Sequence, residues 1–285
     1  MNTVTSPLRG PLPAQPEHPS GSGLLPALNN VQAIGGVVIR ELCRRKDFYV
    51  LFILTAILTL ALGSVNFFNA DQIVRYVKEI CLLLIWIASL VIAVTTTARQ
   101  IPAERENRTL HPLLAKPVTR GQLLLGKFWG CWLATGLALL VFYVFFGLVS
   151  AAREQAWPAA SYFQALTLHW FMLGVVCAMA LLGSIVFAAP SSNNTITLVV
   201  ATTILLLGRH LNKVAVSLDE PWQTVVYAAY FALPHLELFD VRDLVIHNWG
   251  TIPWLVWAGA LGYAAIYTAA FLGAAWLVFR RKAVN

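Results

Sequence analysis

Stretches free of Asp, Glu, Lys and Arg organise this chain. They run from Phe48 to Ala70, Ile80 to Ala98, Phe128 to Ala152, Gln155 to Gly208 and Leu244 to Phe279. A helix needs about 20 mostly apolar residues to cross the hydrocarbon core of a bilayer, and helices satisfy their own backbone there. The fourth stretch is too long for one crossing. AAPSSNNT at 188–195 interrupts it, with a Pro to break one helix and paired Asn to cap the next. The pattern therefore predicts six spans, near 48–68, 79–98, 126–150, 162–188, 193–209 and 253–279. The fifth is short before Arg209 and His210, so it borrows length from Asn193 or lets its arginine snorkel. Ahead of the sixth span, PWQTVVYAAYFALP (221–234) is amphipathic and aromatic, and HLELFDVRDLVIHN (235–248) follows it. These predict two short helices dipping into or lying on the outer interface, broken at Pro234.

Composition agrees with lipid as the solvent. Of 285 residues, 58% are hydrophobic and 12% charged, whereas a soluble domain carries roughly 25% charged residues. The net charge of +7 does not imply a nucleic-acid partner, because the basic residues flank apolar runs, where they set topology. With the N-terminus inside, the inner segments hold fourteen Lys and Arg and the outer ones six. That bias puts both termini in the cytoplasm and fits a multi-pass protein of the bacterial cytoplasmic (inner) membrane. Cys43, Cys81, Cys131 and Cys177 form no CxxC pair and read as small hydrophobes.

The first 32 residues include SPLRGPLPAQPEHPSGSG, too rich in Pro, Gly and Ser to build a core. They are expected to be a disordered cytoplasmic tail (1–32), followed by a single six-helix transmembrane domain (33–285). No short apolar run before a small-residue cleavage site suggests a signal peptide. In VQAIGGVVIRELCRRKDF (31–48), Ile34, Val38, Leu42 and Cys43 recur at helical spacing beside Arg40, Arg44, Arg45 and Lys46. That spacing predicts an N-terminal helix along the inner membrane surface.

The inner segment 99–127 reads RQIPAERENRTLHPLLAKPVTRGQLLLGK. Pro102 suits a helix start, and Glu104 and Glu106 occupy first turns where the macrodipole favours acids. Leu110, Leu113 and Leu114 give an apolar edge, and Lys116-Pro117 ends the helix. Thr119 or Arg120 then opens a helix that runs into span three. A short charged helix held between two spans is shaped to receive force from a soluble partner.

The string ERENRTLHPLLAKPVTRGQLLLGK (104–127) resembles the loop between the second and third helices of ABC-2 type transporter permeases, which reads as acid, Thr-Leu, Leu-Leu, Pro-x-x-Arg and Gly-Lys. The six-span layout, the basic interfacial helix and the long outer segment are similar too. The branch it resembles is that of permeases associated with multi-copper enzyme maturation. The resemblance implies an all-α integral membrane protein whose cytoplasmic coupling helix, at 101–117, docks on a separate ABC ATP-binding subunit. It places Glu104, Glu106, Arg108, Thr109 and Leu110 in that helix, with Leu114, Pro117, Arg120, Gly126 and Lys127 shaping its return to span three. It further implies an exporter, a homodimer around a central path, and ATP and Mg bound by the partner ATPase rather than by this chain. The alternative is a non-transporting membrane anchor or assembly factor that relays ATPase motion to a periplasmic partner at 209–250, where Glu237, Asp240, Arg242 and Asp243 lie.

GQLLLGK (121–127) fits G-x-x-x-x-G-K, yet Phe128 follows where a P-loop needs Ser or Thr, and no strand precedes it. A helix entering the bilayer explains it better, with Gly126 and Gly130 as a GxxxG packing face. No catalytic or metal-ligating residue is predicted. The six histidines form no HExxH or i,i+4 set, and no intramembrane Ser/His or paired Asp arrangement is visible. His169, the one histidine inside an otherwise apolar span, is a site candidate by its position, with a helix-to-helix hydrogen bond as its expected role.

Overall fold

A computed structural model of the chain describes residues 24–44, 46–64, 70–106, 119–154 and 158–281. All regular structure among these residues is helical. It runs α1 (Leu24–Arg44), α2 (Lys46–Ser64), α3 (Ala70–Ala98), α4 (Gln100–Glu106), α5 (Arg120–Glu154), α6 (Ala159–Val186), α7 (Pro190–Val216) and α8 (Trp222–Ala232). A 3-10 turn (Leu236–Phe239), α9 (Arg242–Ile246) and α10 (Trp254–Arg281) complete the order.

Five helical stretches are long and apolar enough to cross a membrane: Val74–Glu106, Arg120–Ala152, Ala159–Val186, Pro190–Gly208 and Trp254–Arg281. The expected first span falls on α2, of which Tyr49–Ala61 is an apolar helical stretch among the described residues. The fifth, expected to be short, is instead the 27-residue α7. Pro190 stands at its first position, where the missing N–H costs nothing, so the helix starts before the Asn pair instead of being capped by it. It also continues through Arg209 and His210 to Val216. At the N-terminus, α1 begins at Leu24, so residues 24–32 are helical; residues 1–23 lie outside the described residues.

The centre is built by α3, α5 and α6. Seventeen residues of α6 are buried, Leu173, Val176, Cys177 and Leu181 completely. Lipid is as apolar as these side chains, so helix contact there depends on steric fit and hydrogen bonds. The α5–α6 seam has both. Trp132 donates its indole N–H to the Trp170 carbonyl (3.0 Å), and Trp170 donates to the Trp132 carbonyl (3.1 Å). Their rings stack at 4.7 Å. Each indole lies over the glycine four residues beyond the other: a Cβ at Gly136 would overlap Trp170, and one at Gly174 would come within 3.0 Å of Trp132. The repeated Trp-x-x-x-Gly spacing thus becomes a reciprocal lock.

Helix α6 also holds the approach to α10. Gln164 donates to the Ile252 carbonyl and accepts from its N–H, both at 2.9 Å, and Trp257 donates to Thr167 Oγ1 at 3.0 Å. The 221–248 segment breaks around Pro234, as its sequence predicts. Its 3-10 turn is packed into the bundle, with Leu236 and Phe239 wholly buried and the His235 N–H donating to the Tyr263 hydroxyl at 2.9 Å.

Candidate functional site

The 99–127 segment joins the long helices α3 and α5. Only Arg99 separates α3 from α4. The Ala103 N–H reaches back to the Arg99 carbonyl (3.0 Å), and the buried Gln100 amide donates to the Thr96 carbonyl (3.1 Å). Pro102 is buried here. The first part of the expected coupling helix is therefore an extension of span two, and any push on it is delivered along α3.

Glu104 faces α5 and pairs with Lys127 at 2.5 Å, the two side chains 13% and 9% exposed. A pair this buried is costly to break from one side only. It fastens the end of α4 to the start of α5. Glu106 is exposed.

Helix α5 opens with a reciprocal capping box. The Thr119 hydroxyl accepts from the Gln122 N–H (3.2 Å), while Gln122 Oε1 accepts from the Thr119 N–H (3.0 Å). Thr119 is the cap and Arg120 the first helical residue. The guanidinium of Arg120 turns to the end of α10, donating to the carbonyls of Phe279 (2.9 Å) and Arg280 (3.4 Å) and lying 5.6 Å from the Phe279 ring. A cation there satisfies orphan carbonyls and complements the dipole at a helix C-terminus.

Gly126 and Gly130 form the expected packing face, and the helix that meets it is α1. A Cβ at Gly130 would stand 2.8 Å from the Gly35 Cα, and one at Gly126 would meet Ile34 at 2.9 Å. The amphipathic helix is thus seated on α5 through Gly35, beside the Glu104–Lys127 pair. Arg108, Thr109, Leu110, Leu114 and Pro117 lie outside the described residues.

The model of the ABC-2 family transporter protein family matches residues 39–284. The chain belongs to that family. No match is found among the curated proteins. An ABC-2 family member is the transmembrane subunit of an ABC transporter, not its ATPase, and membership implies an ABC ATP-binding subunit as partner. The family match and the apolar helices together make the chain a multi-pass membrane protein.

Two features of this ABC-2 subunit escaped the sequence. Asn193, in the first turn of α7, is fully buried; it donates to the Ala180 carbonyl (2.8 Å), accepts from Thr197 (3.1 Å) and lies against Gly183. It pins α7 to α6. The second corrects the expectation that no intramembrane Ser/His pair exists. Ser89 Oγ lies 2.9 Å from His169 Nε2, and the Tyr143 hydroxyl 3.4 Å from Nδ1. Ser89 Oγ also lies 3.1 Å from the Trp86 carbonyl, so its one proton has two acceptors in range, that carbonyl and His169 Nε2. Ser89 and His169 are separated by 80 positions, so neither motif nor spacing could reveal them.

This arrangement is not a hydrolase triad. Ser89 is 1% exposed and His169 sealed, and a tyrosine occupies the place of the orienting carboxylate. It is a helix-to-helix network joining α3, α5 and α6, the role expected of His169. Above it, Trp86 stacks on His169 at 4.3 Å, and the Arg242 guanidinium lies 5.0 Å from the Trp86 ring. Asp240 holds Arg242 through two 2.8 Å hydrogen bonds, which raise the arginine's pKa above its ordinary value. The α9 segment is thereby tied to the bundle centre.

Proposed function

We propose that this chain is the permease subunit of an ABC-2 exporter in the bacterial cytoplasmic membrane, with both termini cytoplasmic, working as a homodimer with two copies of a separate ATPase that binds ATP and Mg. The observation that carries the reading is the Glu104–Lys127 pair, which fastens α4, the continuation of α3, to α5 while Glu106 stays accessible. Closure of the ATPases would push that segment and tilt spans two and three together. Differential contacts in the two ATPase states suffice to shift such an equilibrium.

A path lined by spans one, two and five is supported by the uncovered face of α7. Ser192, Thr195 and Thr202 are exposed there at helical spacing, giving a span hydroxyls that lipid does not need. Co-purification of the chain with the ATPase encoded beside it, followed by ATPase measurement in vesicles, tests the proposal. Glu106→Ala with Leu110→Ala is expected to weaken association at least tenfold. Undiminished association would overturn the coupling role.

The assembly-factor reading is favoured by one observation, the exposure of Trp222, Leu238 and Trp249 on the 209–250 segment. A periplasmic protein could dock there. Substrate-stimulated ATPase activity in vesicles containing only the permease and its ATPase separates the two readings.

A further inference from the structure

Two fastenings hold the ends of the stretch that runs from α4 to α5, and they differ in strength. At one, the Glu104–Lys127 pair is buried, so neither charge can turn to water when the other leaves. At the other, Arg120 reaches the end of α10 and donates to the Phe279 carbonyl at 2.9 Å and the Arg280 carbonyl at 3.4 Å. This guanidinium is half-buried, and water can replace it on the last carbonyls of a helix. A cation at a helix C-terminus is a modest, solvent-screened interaction. The Arg120 fastening is therefore the weaker of the two.

The packing around it is also slight. A Cβ at Gly121 would meet the Trp276 indole at 3.6 Å, an ordinary contact without interlocking, and the indole is 40% exposed. Elsewhere both helices are held firmly. At its outer end α10 is bonded to α6 through Gln164 and Trp257. Helix α5 is locked to α6 at Trp132, about 18 Å beyond Arg120 at 1.5 Å per residue. The opening turns of α5 thus form an arm that pivots on the tryptophan lock. Helices α1 and α4 are fastened to that arm, through Gly35 and Glu104, and would swing with it.

We infer that Arg120 is a latch, which holds the inner end of α5 against α10 and lets go when the ATPases push the stretch between α4 and α5. The inference rests on the coupling role proposed above. A push on that stretch parts the weaker fastening first, so the buried ion pair keeps α4 on α5 while the carbonyls of Phe279 and Arg280 are released. Arg120 is a positioning residue, acting through the angle of α5.

The test uses the full chain with its ATPase in vesicles, read as ATP turnover without added cargo. Arg120→Ala should raise turnover about threefold, the rate equivalent of one helix-end charge, because α5 no longer waits for the latch to open. Arg120→Lys keeps a cation at the helix end and should stay close to the wild type. A reversible tether tests the movement with Arg120 in place. Gly121→Cys with Trp276→Cys, on a Cys43→Ser background whose remaining native cysteines are buried, is joined within one chain by a short bifunctional methanethiosulfonate. Linking should lower turnover about tenfold against the unlinked double variant, and reduction should restore it.

A linked complex that turns over at the unlinked rate would overturn the latch, since α5 and α10 would then move as one. A turnover that Arg120→Ala lowers or leaves alone, or that Arg120→Lys changes as much, would also overturn it. If Arg120→Ala does not fold, the tether decides alone. Failure of the wild-type chain to co-purify with the ATPase would overturn the coupling role and the latch with it, whereas a stable complex with a silent tether overturns the latch only.

Discussion

Along the α5–α6 seam, Trp132 and Trp170 fill each other's glycine notches and hydrogen-bond each other's backbone, while along α10 Leu255 is 86% exposed and Gly259, Gly262 and Gly273 face open space. Both regions are drawn from the same apolar residues. Only 6% of the α10 window is buried, against 67% in α3 and in α6. Apolarity places a helix in lipid, but it does not choose neighbours, because lipid tails compete equally for a leucine. Indole–glycine fits and polar bonds choose them. The core helices have these devices in pairs, whereas Gly259, Gly262 and Gly273 on α10 meet no neighbour among the described residues.

The largest effect is expected where the lock is removed. Trp170→Ala should cost about 3 kcal/mol, the lower end of the range for deleting a core Trp because Trp170 is only partly buried, read as a drop in thermal stability of the purified protein. An equally large loss from Leu255→Ala would erase the contrast between the regions. Next comes Glu104→Gln. It strands the Lys127 ammonium at 9% exposure, and about 3 kcal/mol is expected. The charge-swapped pair Glu104→Lys with Lys127→Glu should recover most of it, which a loss of packing would not allow. Gly130→Leu drives a side chain into Gly35, so α1 must lift from α5 at about 2 kcal/mol. Limited proteolysis should then cut within 24–44 before the rest of the fold melts.

These sites differ in how far the sequence announced them. Charge-free stretches announced the membrane helices, because a twenty-residue gap between charges has few other causes. The loop at 104–127 announced the family, and Gly126 and Gly130 announced a close approach, though not that Gly35 makes it. Asn193 looked like a cap and serves as a buried pin, since Pro190 can begin a helix as well as end one. Ser89 was invisible, one hydroxyl in an apolar run, because its meaning depends on His169 arriving from another helix. Contacts made across distant positions leave no periodicity to read. Local chemistry does, and the Thr119–Gln122 box is the case in point.

The smallest effect on stability, and the sharpest on the comparison, is expected on the open face of α7. Ser192, Thr195, Val199, Thr202 and Leu206 recur there at intervals of three and four, all exposed. Thr195 already donates to the Ser191 carbonyl at 3.1 Å, so a hydroxyl on this face can be satisfied by its own helix. Thr202→Val should therefore move stability by less than about 0.5 kcal/mol, as surface changes do. If the face belongs to the proposed path, Thr202→Trp should leave the melting temperature near that of the wild type yet depress substrate-stimulated ATPase activity in vesicles. If the face meets only lipid, both readouts stay flat. A fall in stability as large as that of Trp170→Ala would mean that α7 is as tightly packed as the α5–α6 seam, and the division into a locked centre and open flanks would have to be redrawn.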